Sequence, residues 1–208
     1  MNLKEFTVGE IMTRCYIISN NDKAAVIDPG AEGRRIYNYL IENNLELEYI
    51  FNTHAHFDHI AANEFLKNKT DAKILAHPKA DSKLTNSQNN LSMSFLNKEI
   101  TSPGLDIALK NREKIDFEGI TLEIIFTPGH SEDGISIYIA EENILFSGDC
   151  IFASGIGRTD LEDSNFADLK ESIENKLLTL PEGTEFYAGH GPKSSIKDFK
   201  TKVWPDFS

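Results

Sequence analysis

Residues 53–59 read Thr-His-Ala-His-Phe-Asp-His. Four of the seven, His54, His56, Asp58 and His59, carry atoms that bind transition metals. The chain has six histidines, and three fall in this one stretch. Imidazole and carboxylate are donors that Zn, Fe and Mn accept, so metal binding accounts for the clustering. The spacing adds geometry. The preceding run Glu48-Tyr49-Ile50-Phe51-Asn52 reads as a buried strand, and just past its end residues two apart face the same side. His54 and His56 are therefore expected to aim at one ion. Ile60, Ala61, Ala62, Phe65 and Leu66 then recur at helical period, which places Asp58 at the N-cap of a helix and His59 in its first turn. Two pairs of donors leaving one corner in different directions suit two adjacent metals.

Three further candidates lie downstream, each beside a glycine and each after an apolar run. His130 closes Thr127-Pro128-Gly129-His130, Asp149 closes Ser147-Gly148-Asp149, and His190 sits in Ala188-Gly189-His190-Gly191. A strand delivers the ligand and glycine lets the backbone turn sharply. The candidate set is five histidines and two aspartates. His77, a lone histidine after a strand and before Pro78, reads as a turn residue and is left out.

The elements that must position these groups alternate along the chain. Residues 5–28 read as three short strands with a turn at Ser19–Asp22. A helix follows over 31–43, with Ile36, Leu40 and Ile41 on its apolar side. A strand at 48–52, a helix, and a strand at 73–76 come next. Residues 113–148 read as four strands, 165–178 as a helix, and a last strand precedes His190. Periodicity supports mixed α and β. Residues 82–104 stand apart, with Asn86, Asn89 and Asn90 mixed with Leu91, Met93 and Phe95. They read equally as a wall over the site or as a surface excursion.

The order His-x-His-x-Asp-His, Thr-Pro-Gly-His, Gly-Asp, Gly-His-Gly resembles the metallo-β-lactamase superfamily over nearly the whole chain. Gly148–Phe152 followed by Gly155-Ile156-Gly157-Arg158-Thr159-Asp160 resembles its glyoxalase II-like (hydroxyacylglutathione hydrolase-like) branch. The resemblance implies an α/β (α+β) fold, a four-layer αβ/βα sandwich of two mixed β-sheets flanked by helices. It implies two divalent metal ions, zinc first, with iron or manganese as competitors. His54, His56 and His130 would hold one, Asp58, His59 and His190 the other, and Asp149 would bridge them. Asp28, in Val26-Ile27-Asp28-Pro29-Gly30, would orient a ligand from behind. Departures include Ala61 where the family often has glycine and Cys150 where threonine is common. Neither removes a ligand, and Cys150 reads most simply as a small buried residue.

The implied activity is hydrolysis of a small-molecule acyl thioester by a hydroxide held between the metals, with Asp58 orienting or deprotonating the nucleophile. No histidine, lysine or tyrosine in the motifs stands out as a general acid. That favours a leaving group that departs unprotonated, such as a thiolate whose thiol pKa is about 8.5. Arg158 is the candidate for a substrate carboxylate, or alternatively ties its own loop through Asp160 or Asp163. Two alternatives are carried: a persulfide dioxygenase with one iron on His54, His130 and Asp149, and a hydrolase of another small ester or lactone.

Composition bounds the rest. A chain of 208 residues suits a single domain, 1–208, and the 18 residues after His190 leave no room for a C-terminal helical substrate domain. The net charge of −12 argues against nucleic acid as a partner. No apolar run is long enough for a membrane span, and Met1–Glu5 lacks a signal-peptide core. Cys15 and Cys150 make no disulfide framework. The expectation is a cytoplasmic protein; the sequence leaves its oligomeric state open.

Overall fold

In the computed structural model, which describes residues 1–207, the chain divides into two units, Met1–Leu109 and Lys110–Ser208. Each is built on one six-stranded mixed sheet.

The first unit opens with β1 (Asn2–Val8), β2 (Thr13–Asn20) and β3 (Lys23–Ile27), paired antiparallel in succession. Helix α1 (Gly33–Glu42) crosses to β4 (Glu46–Phe51), which lies parallel to β3. Two short helices, α2 (Phe57–Ile60) and α3 (Asn63–Thr70), lead to β5 (Lys73–Ala76). After α4 (Asp81–Leu84) and α5 (Ser92–Leu96), β6 (Ile107–Ala108) completes the order β1-β2-β3-β4-β5-β6. Ile17, Val26, Ile36, Leu40, Ile50, Ile60, Leu66 and Ile74 meet in one buried cluster. Each such side chain stabilises by about 1.5–3 kcal/mol on burial.

The second unit runs through β7 (Lys114–Phe117), β8 (Ile120–Phe126), β9 (Ile135–Ile139) and β10 (Ile144–Gly148), each antiparallel to the next. A separate hairpin, β11 (Ile151–Phe152) with β12 (Gly155–Ile156), precedes α6 (Phe166–Asn175). Then β13 (Glu185–Ala188) pairs parallel with β10. β14 (Ser194–Ser195) takes the edge, giving the order β14-β13-β10-β9-β8-β7, and α7 (Ile196–Asp198) opens a run of short helical turns to Asp206. Leu169 and Ile173 of α6 pack with Leu145 and Phe186 of the sheet.

The fold class is the one expected: mixed α/β, with two large mixed sheets flanked by helices. Three local readings change. His56, not Asp58, is the N-cap of α2, so Asp58 is already helical. The helix expected after the heptad is two, because the chain turns at Ala61-Ala62. Ile41 is 57% exposed, since one residue beyond Leu40 a helix has rotated by about 100° away from the core. Strands β6, β11, β12 and β14, of two residues each, are too short to leave a periodic signal.

One contact fixes the corner that carries Asp58. The loop after β3 packs against α2, with the Ala62 N–H donating to the Pro29 carbonyl at 2.9 Å. A Cβ at Gly30 would lie 1.6 Å from the Asp58 carbonyl oxygen, which is backbone and cannot swing aside. Gly30→Ala should therefore cost at least the usual overpacking penalty of about 1–3 kcal/mol. Gly183→Ala, where the new Cβ meets nothing within 4 Å, should stay within about 0.5 kcal/mol. Urea midpoints of both variants check this; equal midpoints would contradict it.

Candidate metal centre

Parallel pairing of β3 and β4 sets Ile27 opposite Phe51, so the residues just beyond both strand ends are neighbours. Asp28 follows β3 in a left-handed conformation (φ 51°), which aspartate tolerates better than most residues. Its carboxylate accepts from the Thr53 N–H at 2.8 Å and from the Thr53 hydroxyl at 2.6 Å. The oxygen that takes the hydroxyl also lies 3.0 Å from His59 Nδ1. Asp28 thus holds the start of the heptad and its last histidine together.

His54, His56 and His59 are all buried. The His54 ring centroid lies 4.5 Å from that of His56 and 4.1 Å from that of His59. Asp58, partly exposed, places Oδ2 3.5 Å from His59 Nε2. The four heptad donors are therefore gathered in one place by the first unit alone. His77 is not among them: its Nδ1 accepts from the Lys79 N–H and caps a short 3-10 turn.

The second unit gathers the other three. Gly129 has φ 142°, and a Cβ there would meet the Leu169 backbone at 2.2 Å, so only glycine lets the turn bearing His130 sit against α6. Parallel pairing sets Gly148 opposite Ala188, and the Gly189 N–H donates to the Gly148 carbonyl at 2.9 Å. This puts Asp149 beside His190. Asp149 Oδ2 lies 3.7 Å from His130 Nε2 and 3.5 Å from His190 Nε2. At Gly157 a Cβ would lie 2.0 Å from the Asp149 carbonyl and 2.8 Å from the His130 Cβ, so the β12 loop rests directly on both.

Ring orientation follows from the partners. His130 Nδ1 lies 3.0 Å from the Arg158 carbonyl oxygen, which only accepts, so Nδ1 carries the proton and Nε2 the lone pair. His59 Nδ1 lies 3.0 Å from the Asp28 carboxylate, whose charge favours the proton on that nitrogen. Thr53 donates its hydroxyl proton to Asp28 and so accepts from His54 Nδ1 at 3.2 Å. All three rings present Nε2, the arrangement a metal-bound imidazole needs. The separations fit too. Gaps of 3.5–3.7 Å between Nε2 and a carboxylate oxygen exceed a hydrogen bond. They are close to the separation, about 3.4 Å, of two atoms each about 2.1 Å from one tetrahedral ion. Donor types, tautomers and spacings all fit a divalent cation.

Arg158 makes a two-pronged ion pair with Asp160, Nε to Oδ1 and Nη2 to Oδ2, both at 2.7 Å. The guanidinium holds the Asp160 carboxyl down to about 2. Because that value is depressed, the tie is complete above the ordinary carboxylate range and is lost only as pH falls toward about 2. It is intact throughout the neutral range. Residues 82–104 are stitched inward: the Asn90 carbonyl accepts from the Phe57 N–H at 3.0 Å, and the buried Asn90 amide donates to the Lys83 and Ile100 carbonyls. The segment braces the helix that carries Asp58. Burial pushes the Cys150 thiol up to about 12, as suits a packed residue with no nucleophilic role.

Sequence reasoning missed Asn52, Asn63 and Thr13. Asn52 donates to the His59 carbonyl at 3.1 Å and accepts from Asn63 at 2.8 Å. Thr13 donates to Asp58 Oδ2 at 3.0 Å. None sits in a recognisable pattern, because each acts through a partner remote in sequence.

The comparisons agree with this geometry. Residues 8–190 match the model of the metallo-β-lactamase superfamily, and the chain belongs to it. It is 36% identical over 196 residues to the probable metallo-hydrolase YqgX of Bacillus subtilis, covering 94% of this chain and 93% of that one. It is 32% identical over 203 residues to the hydroxyacylglutathione hydrolase GloC of Haemophilus influenzae, again covering 94% and 93%. Among solved structures it is similar to the BLEG-1 B3 metallo-β-lactamase, with a TM-score of 0.92, 34% identity, and 95% and 96% of the two chains covered. Metal binding and hydrolysis are thus the chemistry of its family. No helix among the described residues is long and apolar enough to cross a membrane.

Asp28→Asn keeps the shape but removes the charge that three donors share. It should weaken metal binding about 10–100-fold, the usual effect of losing a group behind a metal-bound histidine. Competition against a chromophoric chelator measures this. Unchanged affinity would show that Asp28 braces the fold and nothing more.

Proposed function

We propose that the chain is a binuclear metal-dependent thioesterase of the hydroxyacylglutathione hydrolase type, acting as one catalytic domain over 1–208. The observation that carries this reading is the complete seven-donor set, with Nε2 presented by His54, His59 and His130. In the proposed centre His54, His56 and His130 hold one ion, and Asp58, His59 and His190 hold the other. Asp149 would serve both, as suits a carboxylate oxygen 3.7 Å from His130 Nε2 and 3.5 Å from His190 Nε2. Zinc is the proposed metal, with iron and manganese as competitors for the same nitrogen and oxygen donors. Bound there, divalent ions would polarise a carbonyl and supply hydroxide near neutral pH.

The remaining work falls to the chain. Asp28 fixes the tautomer and tilt of His59. The Arg158 carbonyl does the same for His130. Asp58, partly open to solvent, is the carboxylate placed to take and hold a proton from the attacking water. The Phe152, Ala153, Ser154, Gly155, Pro192 and His190 side of the second unit lines a cavity of about 220 Å³, and is proposed to receive part of the substrate. For Arg158 to reach a substrate carboxylate it must exchange Asp160 for it, so a glutathione contact there is a swap of one carboxylate for another. The identity to the Haemophilus hydrolase supports an acyl thioester as substrate. The net charge of −12 speaks for a small molecule over nucleic acid, and the composition for a cytoplasmic setting.

A second reading is β-lactam hydrolysis, favoured by the likeness to the BLEG-1 enzyme. Metal content per chain, measured beside turnover of S-lactoylglutathione and of a chromogenic cephalosporin, separates the two. The expected result is two metals per chain and chelator-sensitive thioester turnover exceeding cephalosporin turnover. Cephalosporin turnover alone would replace the thioesterase reading with the second. One iron per chain, no hydrolysis and oxygen uptake with a glutathione persulfide would overturn both in favour of a dioxygenase.

A further inference from the structure

We propose that Thr13 is a positioning residue for Asp58, setting which carboxylate oxygen is turned toward the metal; this rests on the two-metal reading above. Thr13 is the first residue of β2, lies opposite Val8 in the hairpin, and is 1% exposed. Its hydroxyl donates to Asp58 Oδ2 at 3.0 Å, across 45 positions of sequence. That same oxygen is the one 3.5 Å from His59 Nε2. A carboxylate oxygen has two lone-pair sites. One is occupied by Thr13; the other is left to point where His59 points.

A helical aspartate can rotate its carboxylate about a broad terminal torsion. Asp58 sits in a helix of four residues, and a helical backbone does not set that angle. The constraint comes from two sides. Gly30 fixes the backbone of Asp58 by close contact with its carbonyl, and Thr13 fixes its side-chain oxygen. Both braces come from outside the heptad, one from the loop after β3 and one from the start of β2. Threonine suits the role. Its branched Cβ restricts χ1 in a strand, so the hydroxyl is aimed before any metal arrives. Donation to Oδ2 also draws charge from that oxygen and holds Oδ1 in a defined direction, which matters for a carboxylate that both binds metal and handles a proton.

Thr13→Val keeps the shape and removes the donor; Thr13→Ser keeps the donor. Thr13→Ala is a second hydroxyl-free variant should valine fold poorly. The full-length proteins are titrated with Zn²⁺ against a chromophoric chelator. Absorption spectra of the Co²⁺-loaded forms report the geometry at each site. Wild type should take up two ions. Valine should weaken one binding step about 10–100-fold, leave the other step unchanged and alter one of the two Co²⁺ spectra. Serine should restore both. A purely structural threonine would instead move the urea midpoint and leave both metal steps alone. Two wild-type steps that survive unchanged in valine would overturn the assignment while leaving the two-metal reading intact. A wild type that takes up a single ion would overturn both together.

Discussion

The structure turns on the Asp28 carboxylate. Buried between two strand ends, it accepts from the Thr53 N–H and the Thr53 hydroxyl and lies 3.0 Å from His59 Nδ1. A buried carboxylate is costly unless several donors meet it, and here each donor is part of the ligand corner. Those contacts decide more than stability. They favour the proton on Nδ1 of His59 and, through Thr53, of His54. Both rings then face the centre with Nε2. The Arg158 carbonyl does the same for His130 in the second unit. An imidazole with one nitrogen committed in this way offers the other to a ligand without reorganisation.

Sheet register supplies the positions. In each unit a parallel strand pair, β3–β4 or β10–β13, brings two chain segments side by side at their carboxyl ends. The strands around them are scaffolding whose apolar faces fill the cores. Glycines occupy the points of closest approach: Gly30 on the Asp58 carbonyl, Gly129 on α6, Gly157 on Asp149 and His130. Ligand geometry is therefore set by backbone contacts, which are stiffer than side-chain packing.

The candidate donors were legible in the sequence because metal chemistry restricts residue type and spacing together. His54, His56, Asp58 and His59 could be read from one heptad, and His130, Asp149 and His190 from their glycine neighbours. The long apolar strands were legible from period and turn residues. The supporting shell was not. Thr13, Asn52, Asn63 and Asn90 are ordinary polar residues whose partners lie 7 to 45 positions away, and local pattern carries no trace of such bonds. The helix start at His56 was misplaced by two residues because aspartate is the better N-cap by propensity. The tight corner overrides that preference by holding Asp58 inside the first turn. Arg158 invited a substrate role by residue type, with a tie through Asp160 or Asp163 as the alternative, and the structure pairs it with Asp160.

The central proposal is that the seven candidate donors serve a binuclear centre. Anomalous diffraction from crystals of the zinc-loaded protein tests it most directly. The account predicts two zinc peaks about 3.5–4 Å apart, the two-metal spacing, with Asp149 between them and His130 and His190 on different ions. A single peak, or peaks away from these seven residues, would contradict it.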